Sequence, residues 1–240
     1  METMCAQRFQ PFQFPLQSHN LVSPTIFCLP PLPSSLSLPP LPPSPTLICK
    51  CHNPISSIEL PPNALRRKLD PHWRGGFSLG VDLGTSRTGL ALSKGFSTRP
   101  LTVLELRGQK LEVKLIEIAE QEEADEFIIG LPKSCDGKET PQSNKIRSIA
   151  GRVAARAAER GWRVYLHDEH GTTAEADSHM ISKGLNKSTR QKKIDAYAAM
   201  MVLERYFFMS GEGTELVVPK SLVLQDKLIE GPPTDPDFKD

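Results

Sequence analysis

The sequence of 240 residues has few cysteines and no long apolar run. Four of its five cysteines precede the main part of the chain, at Cys5, Cys28, Cys49 and Cys51, and only Cys135 follows. This distribution excludes a disulfide framework, and the Cys49-Lys50-Cys51 segment lacks the paired ligand spacing of a zinc site. In the N-terminal part, prolines interrupt every apolar run well before the roughly 20 residues that cross a bilayer. We therefore expect a reducing compartment and no membrane partner.

Acidic residues are scarce at the start of the chain. Up to about residue 63 they are only Glu2 and Glu59, whereas Pro and Ser are abundant, as in PLPSSLSLPPLPPSPT. This composition is typical of an organelle transit peptide, and it lacks the basic start and continuous apolar core of a secretory signal. We expect residues 1–70 to form a leader for the chloroplast stroma, with the mitochondrion as the alternative. The other interpretation is a Pro-rich interaction tail.

The body that follows has similar numbers of acidic and basic residues, so no whole-domain field attracts nucleic acid. Any nucleic-acid surface must therefore be local. Two basic clusters are candidates: Arg152, Arg156 and Arg160 on one predicted helix, and Lys187, Arg190, Lys192 and Lys193 before Asp195. We expect the first cluster to be a solvated helix face. The second adjoins a candidate carboxylate, and we expect it to bind the phosphates of a nucleic acid substrate.

Apolar patterns predict an α/β fold for the body. Two short apolar runs, 77–83 and 88–93, are joined by a turn and indicate a hairpin. A third strand is expected at 101–106, and helical spacing with charges between predicts a helix at 110–123. The remaining predicted elements are a strand at 127–132, a helix around 146–157, a strand at 163–167, a helix capped by Thr172 or Thr173, and a helix at 191–209. This order implies a mixed sheet covered by helices.

Asp82 places a carboxylate inside the first predicted strand. An unpaired buried carboxylate costs several kcal/mol, so it normally needs a cation or a set of hydrogen bonds to compensate it. Two further segments with carboxylates, HDEHGTT and QKKIDAYAA, indicate a divalent cation as that partner. The alternative is a turn-forming aspartate that accepts hydrogen bonds from the amides of Gly84 and Thr85.

Four segments carry a resemblance to a known family. The order GVDLGTSRTGLALS, FIIGLP, DEHGTT and KKIDAYAAMMVLERYF is similar to the motifs of the YqgF family, also called RuvX, of RNase H-like nucleases for precursor 16S rRNA. The resemblance spans roughly residues 77–208, and the leader suggests a plant-type, organelle-targeted member. It implies a ribonuclease H-like fold with a five-stranded mixed sheet in the order 3-2-1-4-5. We thus expect a nuclease domain at 71–210 and a tail at 211–240.

The resemblance also implies the site. Its three catalytic, metal-binding carboxylates match Asp82, Glu169 and Asp195, with Asp168 as a further ligand, and the expected cofactor is Mg²⁺ or Mn²⁺. Carboxylate-held divalent ions can polarise the phosphorus, activate water and stabilise the leaving oxygen. Arg87 matches the family's arginine and either clamps a phosphate of the substrate or pairs with a carboxylate. Simpler roles are a charge at a helix start for Asp168 and Glu169, and a first-turn acid for Asp195.

The implied function is metal-dependent processing of the 5′ end of precursor small-subunit rRNA. The expected partners are this RNA and the small ribosomal subunit, with the protein as a monomer or homodimer. The chain reads DEHGTT where the family pattern is DERLTT, so His170 and Gly171 remove a fixed cation and an apolar anchor. Three alternatives stay open: a non-catalytic RNA-binding assembly factor, a nuclease for four-way DNA junctions, and an actin-like ATPase, for which the body is short.

Overall fold

The computed structural model describes residues 60–70, 72–73, 75–94, 97–134 and 136–232. The predicted leader up to residue 59 and all five cysteines lie outside the described residues. None of the described helices is long and apolar enough to cross a membrane.

A mixed sheet forms the centre of the domain. The strands β1 (Phe77–Leu83), β2 (Thr88–Lys94) and β3 (Ser97–Leu104) pair antiparallel, and β4 (Ala124–Leu131) and β5 (Arg163–Asp168) add parallel beside β1. A sixth strand, β6 (Glu215–Leu216), pairs antiparallel with β5. The spatial order is β3-β2-β1-β4-β5-β6. The predicted fold class and the order 3-2-1-4-5 are therefore confirmed, with one short strand added at the edge.

Helices cover both faces of this sheet. On one face, α2 (Gln109–Gln121) and α3 (Pro141–Ala158) bury Leu79, Val81 and Leu83 of β1. On the other, α4 (Thr172–Ser182) and α5 (Lys187–Phe208) pack over the sheet, with Gly80 against Leu203. Because side chains alternate along a strand, Asp82 faces α5 as Gly80 does. A last helix, α6 (Leu222–Glu230), packs beside α3.

Residues 60–70 are packed against the domain and form α1 (Asn63–Leu69). The amide of Asn63 donates to Glu126 Oε2 at 2.8 Å, the amide of Ala64 donates to Tyr206 Oη at 2.9 Å, and Tyr165 Oη donates to the carbonyl of Leu60 at 2.6 Å. The prediction placed α1 in the leader at residues 1–70, whereas the structure packs this helix against the domain.

A buried polar network anchors α1. Glu126 is fully buried, and its Oε1 accepts hydrogen bonds from Ser78 Oγ at 2.8 Å and Tyr206 Oη at 2.7 Å. Burial raises the pKa of Glu126 above its usual range. Arg163 Nη2 donates to Asn63 Oδ1 at 2.9 Å. The network lies at the N-terminal ends of β1, β4 and β5, at the opposite end of the sheet from Asp82.

Two local predictions were wrong. The third strand begins at Ser97 rather than Leu101, because Pro100 lies on an edge strand, where a missing N–H is tolerated. The N-cap of α4 is Gly171, at φ +79°, rather than Thr172 or Thr173. Thr172 Oγ1 instead donates to the carbonyl of Glu169 at 2.9 Å.

Candidate active site

Asp82 lies in the middle of a row that crosses three strands. Its partner on β2 is Gly89. On the other side, Val81 pairs with Ile129 of β4, so the next residue of each parallel strand brings Asp82 beside Gly130. We call Gly89, Asp82 and Gly130 the glycine row. It faces α5, near the C-terminal ends of β1 and β4.

The two glycines give neighbouring groups access to Asp82. A Cβ at Gly89 would lie 1.9 Å from the carbonyl oxygen of Asp195, and a Cβ at Gly130 would lie 2.0 Å from Glu169 Oε2. Real Cβ atoms do not approach other atoms so closely, so a side chain at Gly89 would clash with the α5 backbone, and one at Gly130 would displace the Glu169 carboxylate. The glycine row therefore seats the α5 backbone at Asp195 on one side of Asp82 and the Glu169 carboxylate on the other.

Glu169 follows β5 directly and bends back over the sheet. Its amide donates to the carbonyl of Leu131 at 3.3 Å, which places the side chain over Gly130. Glu169 Oε2 is buried, and no described group donates a hydrogen bond to it. Burial, followed by the charges of Asp82 and Asp168, raises the pKa of Glu169 to about 8.

Asp82 is in a similar state. Burial, followed by the charge of Asp195, raises the pKa of Asp82 to about 7. The described residues include no donor to its carboxylate, and the amides of Gly84 and Thr85 do not cap it. The structure thus gives no support to the turn-capping interpretation. Asp82 and Glu169 are half-buried acids, and no cation among the described residues compensates their ionised forms.

Asp195 has a cationic partner. Arg87, in the turn between β1 and β2, places Nη2 2.9 Å from Asp195 Oδ2, and its Nη1 donates to the carbonyl of Gln191 at 3.1 Å. Of the two roles predicted for Arg87, the structure shows the carboxylate pair. This contact joins the hairpin turn to the first part of α5.

The donor set fits a hard divalent cation. Asp82 and Glu169 offer carboxylate oxygens, which Mg²⁺ and Mn²⁺ prefer, and Glu169 Oε2 is a buried oxygen that lacks a partner. No three His, Cys, Asp or Glu side chains in the described ranges are preassembled around one point. Asp82 and Glu169 are therefore the residues that would first hold the ion. Asp195 Oδ2 is also buried without a hydrogen bond, but Arg87 Nη2 lies 2.9 Å from it.

Comparisons with known proteins identify the family. A family model described as "RuvX: Holliday junction resolvase" matches residues 76–208. The chain belongs to this RuvX family. Over 135 residues it is 34% identical to an Escherichia coli O157:H7 protein named "Putative pre-16S rRNA nuclease", covering 55% of this chain and 96% of that protein. A Nocardioides protein of the same name is 36% identical over 137 residues, which is 55% of this chain and 86% of the relative.

Solved structures are more distant. RuvC from Thermus thermophilus in complex with Holliday junction substrate aligns with a TM-score of 0.41 and 16% identity, covering 59% of this chain and 99% of the RuvC chain. Membership of the RuvX family makes the chain a nuclease, that is, a hydrolase of phosphodiester bonds, with nucleic acid as its substrate.

The DEHGTT loop departs from the RuvX pattern at His170, and an arginine of another element, Arg205, contacts this loop. Arg205 of α5 donates to the carbonyl of His170 at 2.9 Å and pairs with Glu175 at 2.8 Å. His170 also donates from its amide to Asp168 Oδ1 at 2.9 Å. Sequence reasoning missed Arg205, which lies inside the matched motif ERYF at the end of α5. Burial, followed by the charge of Arg205, lowers the pKa of His167 to about 4.

The predicted basic cluster on α5 is only partly available. Arg190 donates to Asp177 Oδ1 at 2.9 Å and to the carbonyl of Leu185 at 3.2 Å, so it braces α4 against α5. Three exposed members of the cluster have no partner among the described residues: Lys187, Lys192 and Lys193. Arg190 and Lys187 line a cleft of about 550 Å³ between the two helices. The structure leaves the lysines, rather than Arg190, to contact a phosphate backbone.

The arginines of α3 contact solvent, but two of them also pair with an acid of α2. Arg152 Nε pairs with Glu112 Oε1 at 2.5 Å, and Arg156 Nε lies 3.4 Å from Glu112 Oε2. Glu112 is buried, with 3% of its surface exposed. Two of these partly exposed arginines thus pair with a buried acid and join α3 to α2.

Proposed function

We propose that the protein is a divalent-metal-dependent nuclease that processes the 5′ end of precursor small-subunit rRNA in the chloroplast stroma. One observation carries the proposal: the half-buried carboxylates of Asp82, in the glycine row, and Glu169, over Gly130, have no cationic partner among the described residues. The printed names of the bacterial relatives support the RNA substrate, and the acid-poor leader supports organelle import, with the mitochondrion as the alternative.

Asp82 and Glu169 would hold the ion, with Asp195 and Asp168 as further ligands. Bound there, Mg²⁺ or Mn²⁺ supplies a polarised phosphate, an activated water and stabilisation of the leaving oxygen. A cation also removes the cost of ionising two buried acids side by side, so both carboxylates stay deprotonated at neutral pH.

The remaining residues bind and orient the substrate. Arg87 pairs with Asp195 at the edge of the carboxylate pair. If Asp195 held the cation, the Arg87 guanidinium would be released to neutralise an oxygen of the phosphate. Lys192 and Lys193 precede Asp195 on α5 and contact neighbouring phosphates of the strand. Arg205 holds the loop that carries Glu169 through the carbonyl of His170.

The test is cleavage of a labelled precursor rRNA leader by the full chain with Mg²⁺ or Mn²⁺. Asp82→Asn and Glu169→Gln keep the size of each side chain and remove its charge, and Asp226→Asn on the exposed face of α6 is the matched control. We expect cutting by the wild type and the control and a loss of at least about 10³-fold in the two site variants.

Three outcomes would overturn the proposal in different ways. Cutting that survives in Asp82→Asn would remove the carboxylate pair from catalysis. RNA binding without cutting by the wild type would favour the assembly-factor interpretation. A four-way DNA junction is the comparison substrate, because the matching family is described as a Holliday junction resolvase. Faster cutting of the junction than of the RNA leader would show that a DNA junction, rather than rRNA, is the preferred substrate. The native mass of the active species separates monomer from homodimer.

A further inference from the structure

A second cleft lies on the other side of the β1–β2 turn from Asp195. Its volume is about 220 Å³, and it is bounded by the turn itself, by the loop before α2 and by the first turns of α3. Leu83, the residue after Asp82, forms part of its floor. The turn residues 84–87 therefore lie between this cleft, which includes Leu83, and the carboxylate site, which includes Asp82.

Cations without partners mark this cleft. Among the described arginines, Arg107 alone has no hydrogen bond, ion pair or ring contact, and it lines the cleft beside Gly108. Lys145 of α3 lines the opposite wall and has no partner among the described residues. By contrast, the cleft between α4 and α5 contains Asp177, which already pairs with Arg190. None of the described residues that line the second cleft is acidic.

The polar groups of the cleft suit a phosphate. Thr85 and Ser86 provide hydroxyl groups from the turn, and Gln142 provides an amide from α3. Gly108 is the N-cap of α2, and no side chain caps this helix, so its first N–H groups add a favourable end for an anion. The N-terminus of α3 is different, because Thr140 and Ser143 cap it reciprocally.

The floor of the cleft is apolar. It consists of Leu83, Leu106, Leu111, Ile146 and Ile149. Such a floor suits the flat face of an unpaired base, while the cations at the rim suit the charged backbone that carries it. A free inorganic anion would leave this apolar floor unused.

We propose that this cleft binds the RNA strand next to the phosphate at Asp82, with Arg107 and Lys145 on backbone phosphates and the apolar floor under a base. The inference rests on the proposed function for the identity of the strand. It adds a subsite on the face of the sheet opposite α5, so the strand crosses the β1–β2 turn and contacts both faces of the domain.

The experiment measures binding of a fluorescently labelled single-stranded RNA of leader sequence to the full chain. EDTA is present, so that cleavage and metal are removed from the readout. Arg107→Ala/Lys145→Ala is compared with Lys220→Ala/Lys227→Ala, which removes two exposed lysines that also have no partner among the described residues, near α6. All four side chains are exposed, so both variants should fold, and thermal melting verifies this.

We expect the cleft variant to bind RNA about tenfold more weakly at 150 mM salt and the control to change less than twofold. Each lost phosphate contact lowers the slope of log affinity against log salt by about 0.7, so the cleft variant should lose about 1.4 of slope. Equal affinity and slope in the two variants would overturn the subsite.

Binding in EDTA is independent of catalysis. If the wild type never cuts RNA but the cleft variant loses binding, the subsite stands and the nuclease proposal fails. If Asp82→Asn abolishes cutting but the cleft variant binds RNA as well as the control does, the nuclease stands and the subsite fails.

Discussion

The Glu169 carboxylate lies over the backbone of Gly130, where a Cβ would come within 2.0 Å of Oε2. The carboxylate that follows β5 reaches Asp82 because the intervening strand position has no side chain. This contact explains why a glycine occupies the middle of the otherwise apolar segment FIIGLP, in which the residues before it are fully buried.

Gly130→Ala should therefore damage the site more than the fold. The added methyl group displaces the Glu169 carboxylate, and we expect cleavage to fall by about 100-fold and the free energy of unfolding to fall by about 1–3 kcal/mol. Gly151→Ala is the control, since a Cβ there meets no atom within 4 Å and alanine favours a helix by about 0.5–1 kcal/mol. Equal activity of the two variants would contradict the role of Gly130.

The buried acids should make stability depend on pH. Their pKa values, about 7 for Asp82 and about 8 for Glu169, lie above the value of about 4 in the unfolded chain. Between these values the folded state binds more protons, so the stability of the metal-free protein falls as pH rises from about 4 to 8.

Chemical unfolding in EDTA at pH 5 and pH 8 measures this effect. We expect the stability advantage of Asp82→Asn/Glu169→Gln over the wild type to grow from pH 5 to pH 8, by on the order of 3 kcal/mol for each group. Taking the difference between the two proteins cancels the contributions of Glu126 and His167, whose pKa values are raised and lowered, respectively. The same difference at both pH values would be inconsistent with uncompensated carboxylates.

Removal of α1 should destabilise the domain. A chain that begins at Leu60 keeps the hydrogen bonds to Glu126 and Tyr206, whereas one that begins after residue 70 loses them and exposes a buried carboxyl group. We expect the shorter chain to lose about 3 kcal/mol or more in unfolding free energy. Identical melting temperatures would show that α1 is dispensable.

Arg205 should act by positioning the Glu169 loop. Arg205→Ala removes the hydrogen bonds to the carbonyl of His170 and to Glu175, and we expect about tenfold slower cleavage with a stability change near 1 kcal/mol. Arg99→Ala is the matched control, because Arg99 on β3 forms an ion pair with Glu122 at the end of α2. Melting and single-turnover cleavage separate the two variants; slowing by Arg99→Ala to the same extent would assign the effect to surface charge.

The strand order could be predicted because four local motifs carry the resemblance to the RuvX family, which implies that order. Hydrophobic runs define β1, β4 and β5, and the ends of parallel strands gather at one edge of a sheet. Gly89 and Gly130 carry a further signal, because a glycine inside a strand marks the close approach of another group. Sequence alone could not say which group approaches, because Gly89 meets the backbone of Asp195, more than 100 residues away.

The packing of α1 was beyond the sequence for a different reason. Composition assigned residues 60–70 to the leader, since the prolines just before α1 continue its pattern. What holds α1 is a contact with Glu126, a charged residue in a run that otherwise indicates a buried strand. Such a pairing depends on three-dimensional proximity. The same holds for the ion pair between Arg152 of α3 and Glu112 of α2, which the sequence did not predict.

Binding of Mn²⁺ to the full chain, measured by calorimetry at pH 8 without nucleic acid, tests the carboxylate site most directly. We expect the wild type and Asp226→Asn to bind the ion, and Asp82→Asn and Glu169→Gln to lose that binding, because each removes a charged ligand. Equal binding by the wild type and both site variants would contradict a metal centre at Asp82 and Glu169.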